Sequence, residues 1–194
     1  MNKTLEILDK LEEILPAEAV VTDVCSLKGF VCKKERPYKF VPSHPMAGTE
    51  HQGYENSFEG LFNGAKWVIT PVFGRDETLV KIIEKFGAKP VFTTVEKHDK
   101  AVALISHMPM VIAQAIFKTA SENELALEIA SSGFRDMTRL AMSNVEMAND
   151  MVQMNAENIQ MSILELYKSI GDLTTSDYLE QIKEIKLNRQ SMFL

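Results

Sequence analysis

The chain has 194 residues, 45% of them hydrophobic and 25% charged, with 9 glycines and 7 prolines, the balance of a globular protein of one domain or two small ones. A formal charge of −6 argues against broad phosphate-backbone binding, so nucleic acid is not an expected partner. No run of about 18 apolar residues suggests a membrane span and no secretory core follows Met1; two cysteines, Cys25 and Cys32, fit a reducing compartment, and a cytoplasmic protein is expected.

Residues 1–96 alternate short β-rich runs with helical patterns. Leu5, Leu8, Leu11 and Leu15 give the first segment a narrow apolar stripe at helical spacing, and Pro16 ends it. Residues 19–24 read as a buried strand, with a short helix predicted from Leu27. Strands are predicted over 38–41, 66–70 and 90–95, and a helix over 78–86 capped by Gly87. This order belongs to an α/β sheet with covering helices. A crossover helix normally joins two strands, and no strand precedes the first helix here. The region is therefore expected to be the distal part of a larger doubly wound sheet; the alternative is a complete small domain with a peripheral helix.

Residues 97–194 are almost wholly helical in pattern. Ala101, Leu104, Ile105, Met108, Ile112, Ala115 and Ile116 form one apolar face, with a kink or local break expected at Pro109. A short helix is predicted over 124–130, a long one over 143–170 and a last one through Tyr178, Ile182 and Ile185. Apolar residues on more than one face favour a two-fold subunit interface over a closed bundle. The fold class is thus an α/β, partly Rossmann-like sheet region followed by an all-α dimerisation domain.

The segment Val41-Pro42-Ser43-His44-Pro45-Met46-Ala47-Gly48-Thr49-Glu50 carries the first chemical signal. An imidazole held by prolines and a small-residue turn suits reversible proton transfer near neutral pH. Thr49 offers a donor to a substrate oxygen, and Glu50 can orient a polar group; either can instead satisfy local backbone donors. Asp23-Val24-Cys25-Ser26-Leu27-Lys28 follows a predicted strand, where chemistry in open α/β sheets collects. Ser26 there either caps a helix or meets a substrate hydroxyl, and Lys28 balances Asp23 or an anion. Cys25 reads as a small buried residue rather than a nucleophile. His98 and His107 are nine positions apart, which is not the spacing of a helical zinc pair. Arg135 or Arg139 could clamp a carboxylate through its forked guanidinium, with Asp136 fixing one of them; surface salt bridging is the alternative.

Taken together, Asp23 to Lys28, His44 to Glu50, Ser106-His107-Met108-Pro109 and Gly133-Phe134-Arg135-Asp136-Met137-Thr138-Arg139 resemble, in order, motifs of the prephenate and arogenate dehydrogenase family. The resemblance implies oxidative decarboxylation of prephenate or arogenate, with NAD or NADP receiving hydride, in tyrosine biosynthesis. It implies His44 as the base at the ring hydroxyl, with Ser26 binding that hydroxyl and orienting His44. Arg139 would hold a substrate carboxylate, with Thr49, Glu50, Asp136 and His107 lining the substrate pocket. Ser26, Lys28 and Pro45 would lie against the cofactor. The same resemblance implies a homodimer through the helical domain and tyrosine as an inhibitor. Two departures stand out: the 194 residues contain no Gly-x-Gly-x-x-Gly loop, and Met110 stands where many relatives carry histidine. A non-catalytic tyrosine-sensing or assembly module derived from this family is the competing expectation.

Overall fold

The computed structural model describes residues 2–48, 53–175 and 177–192, grouped in two compact units that divide after Ile159. In the first unit, α1 (Asn2–Ile14) buries Leu8 and packs Leu5, Leu11 and Leu15 against Leu27, Phe30, Val31, Tyr38 and Phe40. That is the leucine stripe read from the sequence, and its burial is what stabilises an otherwise short helix. Tyr38 Oη donates to the Leu8 carbonyl at 2.8 Å, and buried Arg36 reaches Asp9 at 2.8 Å, which fixes the helix to the loop before the next strands.

The strands are shorter than predicted. β1 (Val20–Val21) pairs in parallel with β2 (Lys39–Phe40), placing Val20 opposite Lys39. The predicted helix from Leu27 is absent; the segment turns and forms a 3-10 turn at Val31–Lys33. Two residues after β2 the chain enters β3 (Ser43–Pro45), which the sequence had not announced. β3 runs antiparallel to β4 (Lys66–Ile69), with His44 opposite Val68 and Pro45 opposite Trp67. Pro42, lacking an amide hydrogen, stands between the two ladders, and Pro45 lies on an edge strand that tolerates the missing donor. β4 then pairs in parallel with β5 (Lys89–Phe92) through α2 (Glu77–Lys85), which is capped by the Asp76 carboxylate and buries Leu79 and Ile83. Gly87 ends α2 with φ +76°, and a Cβ there would meet Asn63 Oδ1 at 2.7 Å.

Thr94 caps α3 (Val95–Val102), which continues through a π-helical turn, Ala103–His107, into α4 (Met108–Ala120). The Met108 amide donates to Ala103 O, five residues back, and Pro109 follows. The break expected at Pro109 is thus a widened turn just ahead of it. The 26 residues Val95–Ala120 are long and apolar enough to cross a bilayer by length and composition, which corrects the reading that no such run exists. In the structure their His98, Asp99, Val102, Ala103 and His107 are buried inside the first unit. α5 (Glu124–Glu128), α6 (Ser132–Thr138) and α7 (Val145–Met154) follow. The single long helix predicted over 143–170 is interrupted at Asn155, after which α8 (Ala156–Thr175) begins. The second unit comprises the remainder of α8 and α9 (Tyr178–Met192). It exposes Leu164, Tyr167, Ile170, Leu179, Ile185 and Leu187.

Candidate functional site

The segment after β1 is pinned to β3 by buried polar groups. Lys28 is completely buried, and its ammonium contacts the Asp23 carboxylate and the Ser43 carbonyl. Asp23 also accepts from the Cys25 amide at 2.9 Å and the Ser43 amide at 3.2 Å. Trp67 Nε1 donates to Ser43 Oγ at 2.9 Å, and Ser43 Oγ donates to Asp23 O at 2.9 Å. A lysine buried in this way needs both its countercharge and its carbonyl partner. The node sets the position of the residue after Ser43, which is His44.

His44 Nδ1 lies 3.0 Å from His98 Nε2, and His98 Nδ1 lies 2.7 Å from Asp99 Oδ1. Asp99 in turn accepts from the Lys28 amide at 2.9 Å and the Gly29 amide at 2.8 Å. Burial pushes the Asp99 carboxyl up, but the hydrogen bonds from His98, Lys28 and Gly29 outweigh it and hold it below the usual carboxylate range. An ionised Asp99 fixes the His98 proton on Nδ1. With both rings neutral, His98 Nε2 is then the acceptor and His44 Nδ1–H the donor. His44 Nε2 carries the lone pair. Burial, helped by repulsion from His98, Lys28 and His107, lowers the His44 pKa to about 3. The ring is therefore a neutral acceptor over the whole physiological range.

His107 is buried at the end of the π turn, with its pKa lowered to about 4 by burial above all. Asn155 Nδ2 lies 2.9 Å from the Asp99 carbonyl and 3.2 Å from His107 Nδ1. His107 Nε2 is buried with no hydrogen-bond partner among the described residues. The structure thus brings His44, His98, Asp99 and His107 into one polar cluster whose members come from β3, α3 and the π turn.

The other sequence-predicted residues are distributed differently. Ser26 is half-buried on the turn between Asp23 and Lys28, not at a helix start. Pro45 is half-buried opposite Trp67. Lys28 is not presented to a cofactor as expected, because its ammonium is enclosed by Asp23 and Ser43. Arg139 is exposed on the 3-10 turn Arg139–Met142, and Asp136 is exposed on α6 beside Arg135. Thr49 and Glu50 lie outside the described residues. His98 and Asp99 are the members the sequence reading left out of the site. Their one signal was a histidine–carboxylate pair one turn beyond the Thr94 cap. Cys25 shares a 3.2 Å contact with Thr4 Oγ1, and burial raises its thiol pKa, as befits a packed residue rather than a nucleophile.

The residues present do not fit a whole dinucleotide. Pyrophosphate is met by glycine amides at a helix start, whereas the turn after β1 offers Gly29 alone. Its amide is held by Asp99, and a Cβ at that position would stand 2.8 Å from Asp99 Oδ2. Gly29 thus serves the approach of a carboxylate from this same chain.

The nucleotide-binding domain model of prephenate dehydrogenase matches residues 1–92, and the dimerization domain model matches residues 94–187. Prephenate dehydrogenase of Bacillus subtilis (strain 168) is 31% identical over 195 aligned residues, covering 93% of this chain and 52% of that protein. The chain spans about half the length of the curated relatives it matches first. Among solved structures, prephenate dehydrogenase from A. aeolicus, in complex with hydroxyphenyl propionate and NAD+, is 31% identical with a TM-score of 0.85, over 98% of this chain and 73% of that one. Synechocystis arogenate dehydrogenase is 32% identical with a TM-score of 0.73, over 96% and 72%. The fold, the order of the motifs and these similarities agree: the chain belongs to the prephenate dehydrogenase family.

Proposed function

We propose that this chain is the substrate-activating portion of a prephenate dehydrogenase-like oxidoreductase, which converts prephenate to 4-hydroxyphenylpyruvate when a nucleotide-binding half is supplied. The observation that carries this reading is the His44–His98–Asp99 hydrogen-bonded series. His44 Nε2, left with its lone pair, accepts the proton of the ring hydroxyl as the carbon bearing it gives up hydride. The ring carboxylate then leaves as carbon dioxide, and the ring becomes aromatic. His44 Nδ1–H can pass its proton to His98 Nε2, which moves positive charge toward the Asp99 carboxylate and away from a buried ring. NAD supplies hydride acceptance in the complete enzyme; the residues here supply proton transfer and orientation. Arg139 would hold a substrate carboxylate, Asp136 would reach the site of a neighbouring subunit, and the exposed apolar residues of α8 and α9 would be covered in a homodimer.

The test is calorimetry of the pure chain with prephenate, arogenate, tyrosine and NAD, alongside sedimentation of the chain. Binding of prephenate that is lost in His44→Gln, in a particle of twice the chain mass, is the expected result. Tight tyrosine binding without prephenate binding would replace this reading with the sensing module. That alternative draws on Met110, which is buried against Ala148 and Met151 where many relatives place histidine.

A further inference from the structure

Asn155 interrupts the α7–α8 region at a buried position, and its side chain has an unusual set of partners. One amide atom lies 2.9 Å from the Asp99 carbonyl, which can only accept, so that atom is the nitrogen whichever way the amide was placed. The oxygen is satisfied by Asn158 Nδ2 at 2.8 Å. The same nitrogen lies 3.2 Å from His107 Nδ1. Nδ1 must therefore present its lone pair, and a neutral His107 carries its one proton on Nε2. That Nε2–H has no partner among the described residues and is fully enclosed. An unpaired buried donor is costly, so its retention calls for an acceptor that pairs with it.

We propose that Asn155 is a positioning residue that locks His107 in the Nε2–H tautomer and so keeps one donor ready for an acceptor atom of the ligand bound beside His44. The inference rests on the functional reading above and adds to it the group that dictates the polarity of His107. His107 is joined to His44 through the Asn155 amide, Asp99 and the His98 ring, which sets both imidazoles in one polar cluster. A ligand oxygen with a lone pair fits there; a ligand N–H or a protonated hydroxyl aimed at His107 does not. Asn155 also ties the tautomer of His107 to the carbonyl of Asp99, the residue that fixes His98. Two imidazoles thus receive opposite roles from one dipeptide neighbourhood: His98 presents an acceptor at Nε2 and His107 a donor.

Long-range ¹H–¹⁵N spectra of the full chain, which has four histidines, read the tautomers directly. The expected result is His107 protonated at Nε2 from pH 6 to 8, a second tautomer in Asn155→Ala, and the Nδ1–H form in Asn155→Asp, whose carboxylate only accepts. Wild-type His107 in the Nδ1–H form, or one tautomer shared by all folded variants, overturns the assignment; the wild-type spectrum decides even if a variant does not fold. Titration with 3-(4-hydroxyphenyl)propionate supplies the ligand arm. The His107 Nε2 resonance should shift on binding, and Asn155→Ala should weaken Kd roughly 3- to 10-fold. Binding with an unmoved resonance overturns the ligand-facing role. Failure of the probe to bind wild type, with the tautomer as stated, overturns the functional reading and leaves the positioning of His107 standing.

Discussion

His44 and His98 meet edge to face, their ring planes at 76° and their facing nitrogens 3.0 Å apart, although 54 positions separate them in the chain. The geometry lets one ring donate along the axis of the other's lone pair. Because His98 is held by Asp99, its orientation is set by the chain itself. His44 is thus aimed by a partner from its own chain.

Removing the second ring should loosen the base. After burial, repulsion from His98 is the next contributor to the lowered pKa of His44. His98→Gln is expected to raise the His44 pKa from about 3 toward its ordinary value, as followed by proton shifts in a pH titration. An unchanged His44 titration would show that the contact carries no electrostatic coupling.

Acid should destabilise the fold through the same groups. Folded His44 and His107 titrate at about 3 and about 4, against about 6.5 when unfolded. Between those limits the unfolded chain binds more protons, so stability is complete above pH 6.5 and falls as pH drops toward 4. The slope is about 1.4 kcal/mol per pH unit for each imidazole. Asp99, whose folded pKa is lowered, acts in the same direction below about pH 4. Urea unfolding at pH 7 and pH 5 should show the loss, and His107→Gln should reduce it.

Lys28→Met should cost about 3 kcal/mol or more, because it leaves the Asp23 carboxylate buried without its countercharge. Lys28→Met combined with Asp23→Asn should recover part of that loss, since the second change removes the stranded charge. Denaturant midpoints of the single and double variants give the comparison. Equal midpoints for Lys28→Met and wild type would refute the claim that the node holds β3.

Gly29→Ala is a small change with a defined target. The new methyl would lie 2.8 Å from Asp99 Oδ2 and displace the carboxylate that orients His98. A drop in thermal midpoint of several degrees is expected, together with a changed His98 Nδ1 resonance. Gly48→Ala, with no atom of the described residues within 4 Å of the added carbon, is the matched control and should leave that resonance in place.

Helices α1 and α2 were legible because they rest on local signals, the leucine stripe of α1 and Gly87 at the end of α2, and His44 drew notice as an imidazole set between prolines. β3 was not, since Ser-His-Pro has no strand pattern and its extended form is imposed by pairing with Trp67, Val68 and Ile69. Lys28 read either as the partner of Asp23, which it is, or as available to an anion; its enclosure was not legible, because lysines are rarely enclosed and it depends on the Ser43 carbonyl, 15 positions away. Asp99 shows the same limit, its partners Lys28 and Gly29 lying 71 and 70 positions upstream. The interruption at Asn155 was hidden by apolar periodicity that continues through it. Side-chain bonds to Asp99 O and His107 account for a polar residue buried at that break.

The π turn at Ala103–His107 sets an angular phase. Nine residues of ordinary α-helix carry two side chains about 180° apart, which would send His107 to the side of the helix opposite His98. The widened turn subtracts from that rotation. Deleting one residue between Ala103 and Ser106 would let regular winding resume with that phase kept; winding all the present residues as ordinary α-helix would instead swing everything downstream by about 100°. The imidazole at 107 would leave Asn155 while the one at 98 stayed on its carboxylate. A single surplus residue in one helix thereby keeps two chemically distinct rings in register.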